Sequence, residues 1–242
     1  MACSSKMPLL SSKPLLLGQP MPNWDCETSS GPLNFHKYID GSWAILFSHP
    51  DDFTPVCTTE LGTVAQLMPE FQKRGVKVVA LSCNSAESHK AWAKDVLAYA
   101  KLDASELPYP IIADSSRVIA DRLAMIDHTQ SSGMPMTCRA VFIIAPDKTL
   151  KLQIMYPAST GRSFGEILRV IDSLQRTATY KIATPVDWAP GDNVIVLNSV
   201  SDTDARDLFP NFVTEKLPSG KPYLRTTADP ATPSVFKGWF GF

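Results

Sequence analysis

The sequence predicts an α/β fold, because short apolar runs typical of buried strands alternate along the chain with segments of helical periodicity. The run at 43–48 is rich in aromatic and branched residues and lies between Gly41 and Pro50, so it predicts a strand. A second apolar run at 77–83 predicts a neighbouring strand. Apolar residues recur at helical spacing over 163–176, which predicts an amphipathic helix with one buried face.

The remaining elements are assigned in chain order from the same two periodicities and from turn residues. A helix begins after Thr54, and Pro69 is expected to kink it. Further helices are predicted at 86–100 and near 116–125, and further strands at 111–112, 140–145 and 149–156. The last two strands flank a turn at 146–148 and predict a hairpin.

The chain beyond residue 176 changes character and predicts a smaller, β-containing appendage. Turn residues surround a short apolar run at 194–197. We therefore divide the chain into a flexible leader at 1–14, a main domain at 15–176, an appendage at 177–225 and a tail at 226–242. The tail ends in the aromatic-rich VFKGWFGF, which we expect either to dock on the protein or a partner or to be disordered.

The composition argues against several classes of function. The 242 residues are 44% hydrophobic and 19% charged, with a formal net charge of −1. No run of Lys and Arg provides the electrostatic footprint of a nucleic-acid-binding protein. No apolar stretch approaches the about 20 residues of a membrane-spanning helix. Residues 1–17 lack the apolar segment of a secretory signal, so we expect a cytoplasmic location, with organelle targeting by the leader as the alternative.

Cys57 is the residue that most clearly indicates chemistry. Thr54 and the proline after it have the pattern of an N-cap followed by proline at the first helical position, which places Cys57 in the first turn. Free backbone N–H groups and the positive end of the helix dipole favour an anion there, so we expect a reactive thiolate. Glu60 opposes this effect, and the candidates for a compensating cation are Arg139 and Arg162. The alternative is a buried, unreactive thiol, the commoner state of a free cysteine.

The segment around Cys57 resembles the peroxiredoxin family. The pattern Pro50-x-x-x-Thr54-x-x-Cys57 is the family's motif, and the longer string at 47–62 is similar to its 1-Cys branch. The resemblance covers about 15–225, including GMP at 133–135, APDK at 145–148, YPASTGR at 156–162, ATPVDW at 183–188 and LPSGK at 217–221. It implies a thioredoxin-like peroxidase domain at 15–176, a C-terminal 1-Cys peroxiredoxin domain at 177–225 and a homodimer.

The resemblance also implies catalytic roles. Cys57 attacks the O–O bond of hydrogen peroxide or an organic hydroperoxide and becomes a sulfenic acid, without a metal or other cofactor. Thr54 orients the peroxide and the thiolate through its hydroxyl group, and Arg139 stabilises negative charge on both sulfur and leaving oxygen. Pro50 shields the thiolate from bulk water.

Three further residues are implied around this group. Glu60 and Arg162 match positions that orient Arg139 in the family. His49 lies beside the pocket in relatives, where a hydrogen-bonded structural role and a proton-handling role both fit.

The cysteines favour the 1-Cys mechanism. The five are Cys3, Cys26, Cys57, Cys83 and Cys138, with no CxxC pair and no regular spacing, which argues against a zinc site or a disulfide framework. Peroxiredoxins of the 2-Cys branch have a resolving cysteine far downstream, whereas no cysteine follows Cys138. Cys83 is predicted to lie in the core and Cys138 to be structural. The resemblance then implies an external thiol reductant, either glutathione or a thioredoxin-type system.

The sequence leaves two alternative functions open, a hydrolase and a peroxide sensor or chaperone. Relatives carry a phospholipase A2 activity that uses a serine, a histidine and an aspartate, and Ser42, His36 and Asp147 occupy the matching positions. Ser42 lacks a G-x-S-x-G context and precedes a strand, which favours ordinary loop and turn roles for the three residues. The other alternative is a peroxide sensor or chaperone in which Cys57 is oxidised without turnover.

Overall fold

The computed structural model describes residues 14–128 and 133–231. The chain divides into two compact units between Arg162 and Ser163. Each unit has its own sheet and is described separately. The domain boundaries predicted at residues 176 and 225 stay predictions.

The first unit is built on a seven-stranded sheet. Its strands are β1 (Asp25–Thr28), β2 (Gly31–Asn34), β3 (Trp43–Ser48), β4 (Val76–Ser82), β5 (Ile111–Ala113), β6 (Arg139–Ile144) and β7 (Leu150–Tyr156), and its helices are α1 (Phe35–Tyr38), α2 (Pro55–Lys73), α3 (Ala86–Ala100) and α4 (Val118–Arg122). The strand order is β2-β1-β5-β4-β3-β6-β7. β4 pairs in parallel with β3 and β5, and the other pairs are antiparallel. The prediction of a mixed α/β fold is confirmed.

The centre of this sheet positions the residues around Cys57. β3, β4 and β6 are almost continuously buried, as expected for strands covered on both faces. Leu46, Val79 and Phe142 belong to the apolar core that these strands share. Because β6 runs antiparallel to β3, its first residue, Arg139, lies near the end of β3, where the chain turns towards Cys57.

Several predicted elements have the expected bounds, and others differ. The strand at 43–48 and the helix at 86–100 are confirmed. The helix expected near 116–125 spans only Val118–Arg122, since Ala124 adopts a left-handed φ of +53° that a helix cannot contain. The hairpin of β1 and β2 was not predicted, although Gly31, with φ of +99°, follows two serines and provides a turn signal. Pro69 lies inside α2, which continues to Lys73.

The second unit contains two helices and a small sheet. Its helices are α5 (Phe164–Thr179) and α6 (Asp202–Leu208), and its strands are β8 (Ile182–Ala183), β9 (Val194–Val196), β10 (Val213–Thr214) and β11 (Arg225–Thr227), in the order β10-β11-β9-β8. Trp188 is buried in its core, and the guanidinium of Arg176 lies 4.9 Å from the Trp188 ring centroid. The amphipathic helix and the β-containing appendage are confirmed, whereas α6, capped by Ser201, was missed.

Two predicted segments fall partly outside the described residues. Of the leader at 1–14 only residue 14 is described, and of the tail at 226–242 only residues 226–231 are described, so the aromatic end of the tail lies outside. β11 continues to Thr227, past the predicted end of the appendage. Among the described residues, no helix is both long and apolar enough to cross a membrane.

Candidate active site

Cys57 lies in the first turn of α2, as its sequence context predicts. Thr54 is the N-cap with extended backbone angles, and proline occupies the first helical turn. The Thr54 hydroxyl does not cap a helix N–H group; it donates to the Asp51 carbonyl oxygen at 2.9 Å. The Cys57 side chain is fully buried. The thiol is therefore shielded from solvent at a helix start that favours an anion.

Arg139 is the cation that the structure places against the thiol. Its Nη1 atom donates to Cys57 Sγ at 3.3 Å and to Glu60 Oε2 at 2.8 Å. Its Nε and Nη2 atoms donate to the Ala158 carbonyl oxygen at 3.0 Å and 2.6 Å. These bonds fix the plane of the guanidinium, so a permanent positive charge is held beside the sulfur atom.

Arg162 pairs with Glu60. The Arg162 backbone N–H, Nε and Nη2 donate to the two Glu60 carboxylate oxygens at 2.7 Å, 3.0 Å and 2.7 Å. Its Nη1 atom donates to the carbonyl oxygens of Ser48 and Ala140 at 2.7 Å and 2.8 Å. Burial by itself raises the pKa of Glu60, but the hydrogen bonds and charge of Arg162, with the charge of Arg139, hold that pKa below its ordinary value. Glu60 is therefore an ionised carboxylate shared by two arginines.

His49 and Pro50 are buried at the end of β3. The His49 ring lies 5.0 Å from the ring of Trp92, whose Nε1 atom donates to the hydroxyl of Thr58, the residue after Cys57. The His49 Nε2 atom bonds to Asp52 Oδ1 at 2.8 Å. Sequence reasoning missed Trp92 and Asp52. The His-x-x-Asp spacing of His49 and Asp52 does not by itself indicate a functional site, because this spacing is common in loops.

Asp52 joins two buried histidines. His89 Nδ1 lies 2.8 Å from Asp52 Oδ2, and the ligand-type atoms of His49, Asp52 and His89 all lie within 4.8 Å of one another. This is the group of described residues whose chemistry suits a metal ion. Its 2.8 Å contacts are hydrogen bonds that already connect the three side chains.

The described thiols other than Cys57 are poor nucleophiles. Cys26, Cys83 and Cys138 are all free and partly buried. Burial raises the pKa of Cys83 and of Cys26 to about 11, and it also raises the pKa of Cys138. All three pack against the apolar core of the first unit.

The three residues of the hydrolase alternative do not form a hydrogen-bonded set. His36 Nε2 bonds to the Met21 carbonyl oxygen at 2.7 Å, and the Ser42 hydroxyl points to the Asp40 carbonyl oxygen at 3.4 Å. Asp147 is exposed and accepts from the backbone and hydroxyl of Thr149. Within the described residues no hydrogen bond joins any two of Ser42, His36 and Asp147, so this alternative gains no support.

Comparison with known proteins gives the family. The model of the AhpC/TSA family matches residues 17–153, and the model of the C-terminal domain of 1-Cys peroxiredoxin matches residues 173–211. The chain belongs to the peroxiredoxins. This peroxiredoxin is 56% identical to peroxiredoxin-6 of Gallus gallus and 54% identical to that of Homo sapiens, in each case over 89% of this chain and 98% of the relative.

Comparison with solved structures leads to the same family. Peroxiredoxin 6 of Arenicola marina, as a mutant, matches with a TM-score of 0.88 and 54% identity, covering 90% of this chain and all of that chain. A yeast mitochondrial 1-Cys peroxiredoxin matches with a TM-score of 0.81 and 42% identity, covering 88% and 99%. This peroxiredoxin is thus a thiol peroxidase of the 1-Cys, peroxiredoxin 6 type, with a thioredoxin-like fold.

Proposed function

We propose that Cys57 is the thiolate that performs the peroxidase reaction. The thiolate sulfur attacks the terminal peroxide oxygen, which keeps its hydrogen, so Cys57 becomes a sulfenic acid. The O–O bond breaks, and the other oxygen leaves as hydroxide or alkoxide, which takes one proton from solvent to give water or an alcohol. The observation that carries this assignment is the 3.3 Å contact between Arg139 Nη1 and Cys57 Sγ. A fixed guanidinium at this distance stabilises the thiolate and the negative charge that develops on the leaving oxygen.

The neighbouring residues take supporting roles in this proposal. The Thr54 hydroxyl orients the peroxide, and Pro50 keeps water from the sulfur. Glu60 holds Arg139 in place through its bond to Nη1, and Arg162 holds Glu60. Hydrogen peroxide and organic hydroperoxides both fit this mechanism, because only the O–O group takes part in the reaction.

The oxidised enzyme is recycled by an external thiol, which we propose to be glutathione or a thioredoxin-type protein. The yeast mitochondrial relative is described as resolving its thiol through glutathione and thioredoxin systems. The high pKa of Cys83 and the raised pKa of Cys138 support the same conclusion, because a protonated thiol attacks a sulfenic acid slowly.

We also propose that the enzyme acts as a homodimer. β7 (Leu150–Tyr156) is the last strand of the seven-stranded sheet. Among the described residues, 18–20 pair with Leu150 and with Thr149 just before the strand, and the outer edge of the rest of β7 has no described pairing. An open strand edge is a natural place for a second copy to pair. A cytoplasmic location stays a prediction.

The first experiment is intact mass spectrometry of the reduced protein after one equivalent of hydrogen peroxide. We expect rapid gain of one oxygen, loss of that gain in Cys57→Ser, and its reversal or conversion to a mixed disulfide by glutathione. Catalytic peroxide consumption with added thiol separates the enzyme from a sensor that is oxidised once. Unchanged oxidation in Cys57→Ser would overturn the assignment.

A further inference from the structure

A cavity of about 320 Å³ lies in the first unit, beside the chain segment that leads into the Cys57 helix. Its wall includes Asp51 and Pro50, the residue that the proposed function places over the thiol. The Asp51 carbonyl oxygen accepts the hydroxyl hydrogen of Thr54 at 2.9 Å, so the cavity adjoins the N-cap of that helix. Its volume is within the range of small-molecule binding sites.

Arg117 contributes a positive charge to the wall of this cavity. Its Nε atom donates to the Pro135 carbonyl oxygen at 2.7 Å, and its Nη1 atom donates to the Ser115 carbonyl oxygen at 3.0 Å. These two bonds orient the guanidinium without neutralising it. In the described part of the chain, no carboxylate lies within ion-pair distance of Arg117, and its Nη2 atom donates to no acceptor. An oriented guanidinium with free donors is suited to binding a carboxylate.

Asp51 places a carboxylate in the same cavity. Asn84 Nδ2 donates to Asp51 Oδ1 at 2.6 Å, so a neutral amide holds this carboxylate in place. Among the described residues, no Lys, Arg or His side chain pairs with Asp51, which is only partly buried. The cavity therefore presents one positive and one negative group. The head of an α-amino acid complements both, because it carries a carboxylate and an ammonium group on one carbon atom.

Uncharged side chains form much of the remaining wall, namely those of Cys83, Met134 and Met136. Met134 is 69% exposed, and methionine side chains adapt to ligands of irregular shape. Burial raises the pKa of the Cys83 thiol to about 11, although the Arg117 charge opposes this rise, so the thiol is neutral. The combination of two charged groups with an adaptable, uncharged surface suits a small organic zwitterion and not an inorganic anion.

We propose that this cavity binds the γ-glutamyl head of glutathione and that Arg117 is the residue that makes the enzyme select this thiol. The Arg117 guanidinium binds the α-carboxylate of the head, and the Asp51 carboxylate binds its α-ammonium group. The inference rests on the proposed function, in which an external thiol recycles Cys57. Recognition takes place at the end of the glutathione molecule remote from its sulfur atom, beside Pro50.

Two glutathione molecules balance the chemistry that follows binding. The thiolate of the first attacks the sulfur of the Cys57 sulfenic acid, the S–O bond breaks, and hydroxide leaves and takes a proton to form water. The product is a mixed disulfide between Cys57 and glutathione. The thiolate of the second attacks the glutathione sulfur of this disulfide, which releases the Cys57 thiolate and glutathione disulfide. The cavity accelerates the first step, because it holds glutathione beside the covered thiol.

The test measures how fast various thiols reduce preformed Cys57 sulfenic acid, followed by intact mass spectrometry. For each variant, the rate with glutathione is divided by the rate with 2-mercaptoethanol, which has no charged head, so that a general change at Cys57 cancels. Arg117→Gln is expected to lower this ratio about tenfold, the scale of one hydrogen-bonded charge pair. Asp51→Asn should lower the ratio for glutathione and not for deaminoglutathione, which lacks the ammonium group, whereas Arg117→Gln lowers both.

The matched control is Arg122→Gln, because Arg122 is an exposed arginine of α4, the helix at whose N-cap Arg117 lies. Its ratio should equal that of the wild type. A ratio in Arg117→Gln within twofold of wild type overturns the inference. An equal decrease in Arg122→Gln also overturns it, because the net charge of the protein is then responsible. If Arg117→Gln slows oxidation by linoleic acid hydroperoxide but leaves the thiol ratio unchanged, the cavity binds the oxidising substrate and the inference is wrong.

S-methylglutathione tests the binding site without the chemistry, because it keeps the charged head and has no free thiol. We expect it to compete with glutathione in the wild type, and to inhibit Arg117→Gln only at about tenfold higher concentration. Equal inhibition of the two proteins overturns the inference. If Cys57 gains no oxygen from peroxide, the proposed function fails instead. If the sulfenic acid forms and every thiol reduces it independently of Arg117, only the inference about the cavity fails.

Discussion

At the residue scale, two arginines share one carboxylate beside the thiol. Arg139 contacts both Cys57 Sγ and Glu60, while Arg162 binds Glu60 through both carboxylate oxygens. Glu60 compensates one of the two positive charges, so a net positive charge remains near the sulfur. The arrangement supplies an oriented cation whose position does not depend on solvent.

Arg139→Gln is expected to lower the second-order rate of Cys57 oxidation about 100-fold or more, because it removes the charge that stabilises the leaving oxygen. Stopped-flow fluorescence with hydrogen peroxide measures this rate. Arg169→Gln, which breaks an arginine pair with Glu166 in the second unit, is the control and should retain the wild-type rate. An Arg139→Gln rate within threefold of wild type contradicts the role given to this residue.

The depressed pKa of Glu60 predicts acid sensitivity. Its stabilisation is fully present above the ordinary glutamate pKa of about 4.3 and is lost as the pH falls through the lower folded-state pKa. Glu60→Gln is expected to destabilise the protein by about 3 kcal/mol at pH 7, because two buried arginines lose their counterion. It should also reduce the loss of stability on acidification below about pH 4.3.

Urea unfolding at pH 7 and at lower pH values measures both effects. Glu70→Gln is the control, since Glu70 pairs with Lys73 and Arg74 near the surface and should cost less than about 1 kcal/mol. Equal losses of unfolding free energy in Glu60→Gln and Glu70→Gln would show that the buried ion pairs contribute no more to stability than the surface ion pairs.

At the element scale, α2 is held by hydrogen bonds from outside the helix. The buried Tyr109 donates its hydroxyl to the Leu61 carbonyl oxygen at 2.7 Å, and Trp92 donates to Thr58 at 3.2 Å. Both bonds fall within two turns of Cys57. They connect the first turns of α2, which carry Cys57, to α3 and to the segment before β5, so the thiol is positioned by packing from more than one direction.

Tyr109→Phe is expected to lower the free energy of unfolding by about 1 kcal/mol, the usual contribution of one buried hydrogen bond. Chemical denaturation monitored by circular dichroism measures the change. Tyr99→Phe provides the matched control, because Tyr99 is 56% exposed and should change stability by less than about 0.5 kcal/mol. If the two variants are equally stable, the Tyr109 hydrogen bond makes no net contribution to the free energy of unfolding.

At the scale of the whole molecule, the proposed dimer depends on pairing between two copies at the edge of β7. Met155 on this strand is 39% exposed. Met155→Arg is expected to shift the enzyme from dimer to monomer, because a charge on the pairing edge opposes association. Light scattering after size-exclusion chromatography gives the mass, with Val118→Arg, an exposed apolar residue of α4, as the control. A wild-type protein that is monomeric at every concentration overturns the dimer.

The sequence alone predicted the mixed α/β fold, the helix start at Thr54 and the residue types of the site. These features depend on local information: a short, continuous apolar run in β3, helical spacing in α5, and a proline next to an N-cap. The family resemblance added the roles, which local patterns do not contain. The hairpin of β1 and β2 was missed because its strands are short and only half buried.

Only the tertiary structure decided which arginine meets the thiol and how His49 is held. Arg139 is 82 residues from Cys57, and Asp52 meets His89 across 37 residues. Such contacts depend on the register between β3 and β6 and on the packing of α3, which no window of sequence specifies. The sequence determined which groups are available for the chemistry, and the fold determined which of them touch, because a hydrogen bond requires two atoms within about 3 Å and that distance is set by the whole sheet.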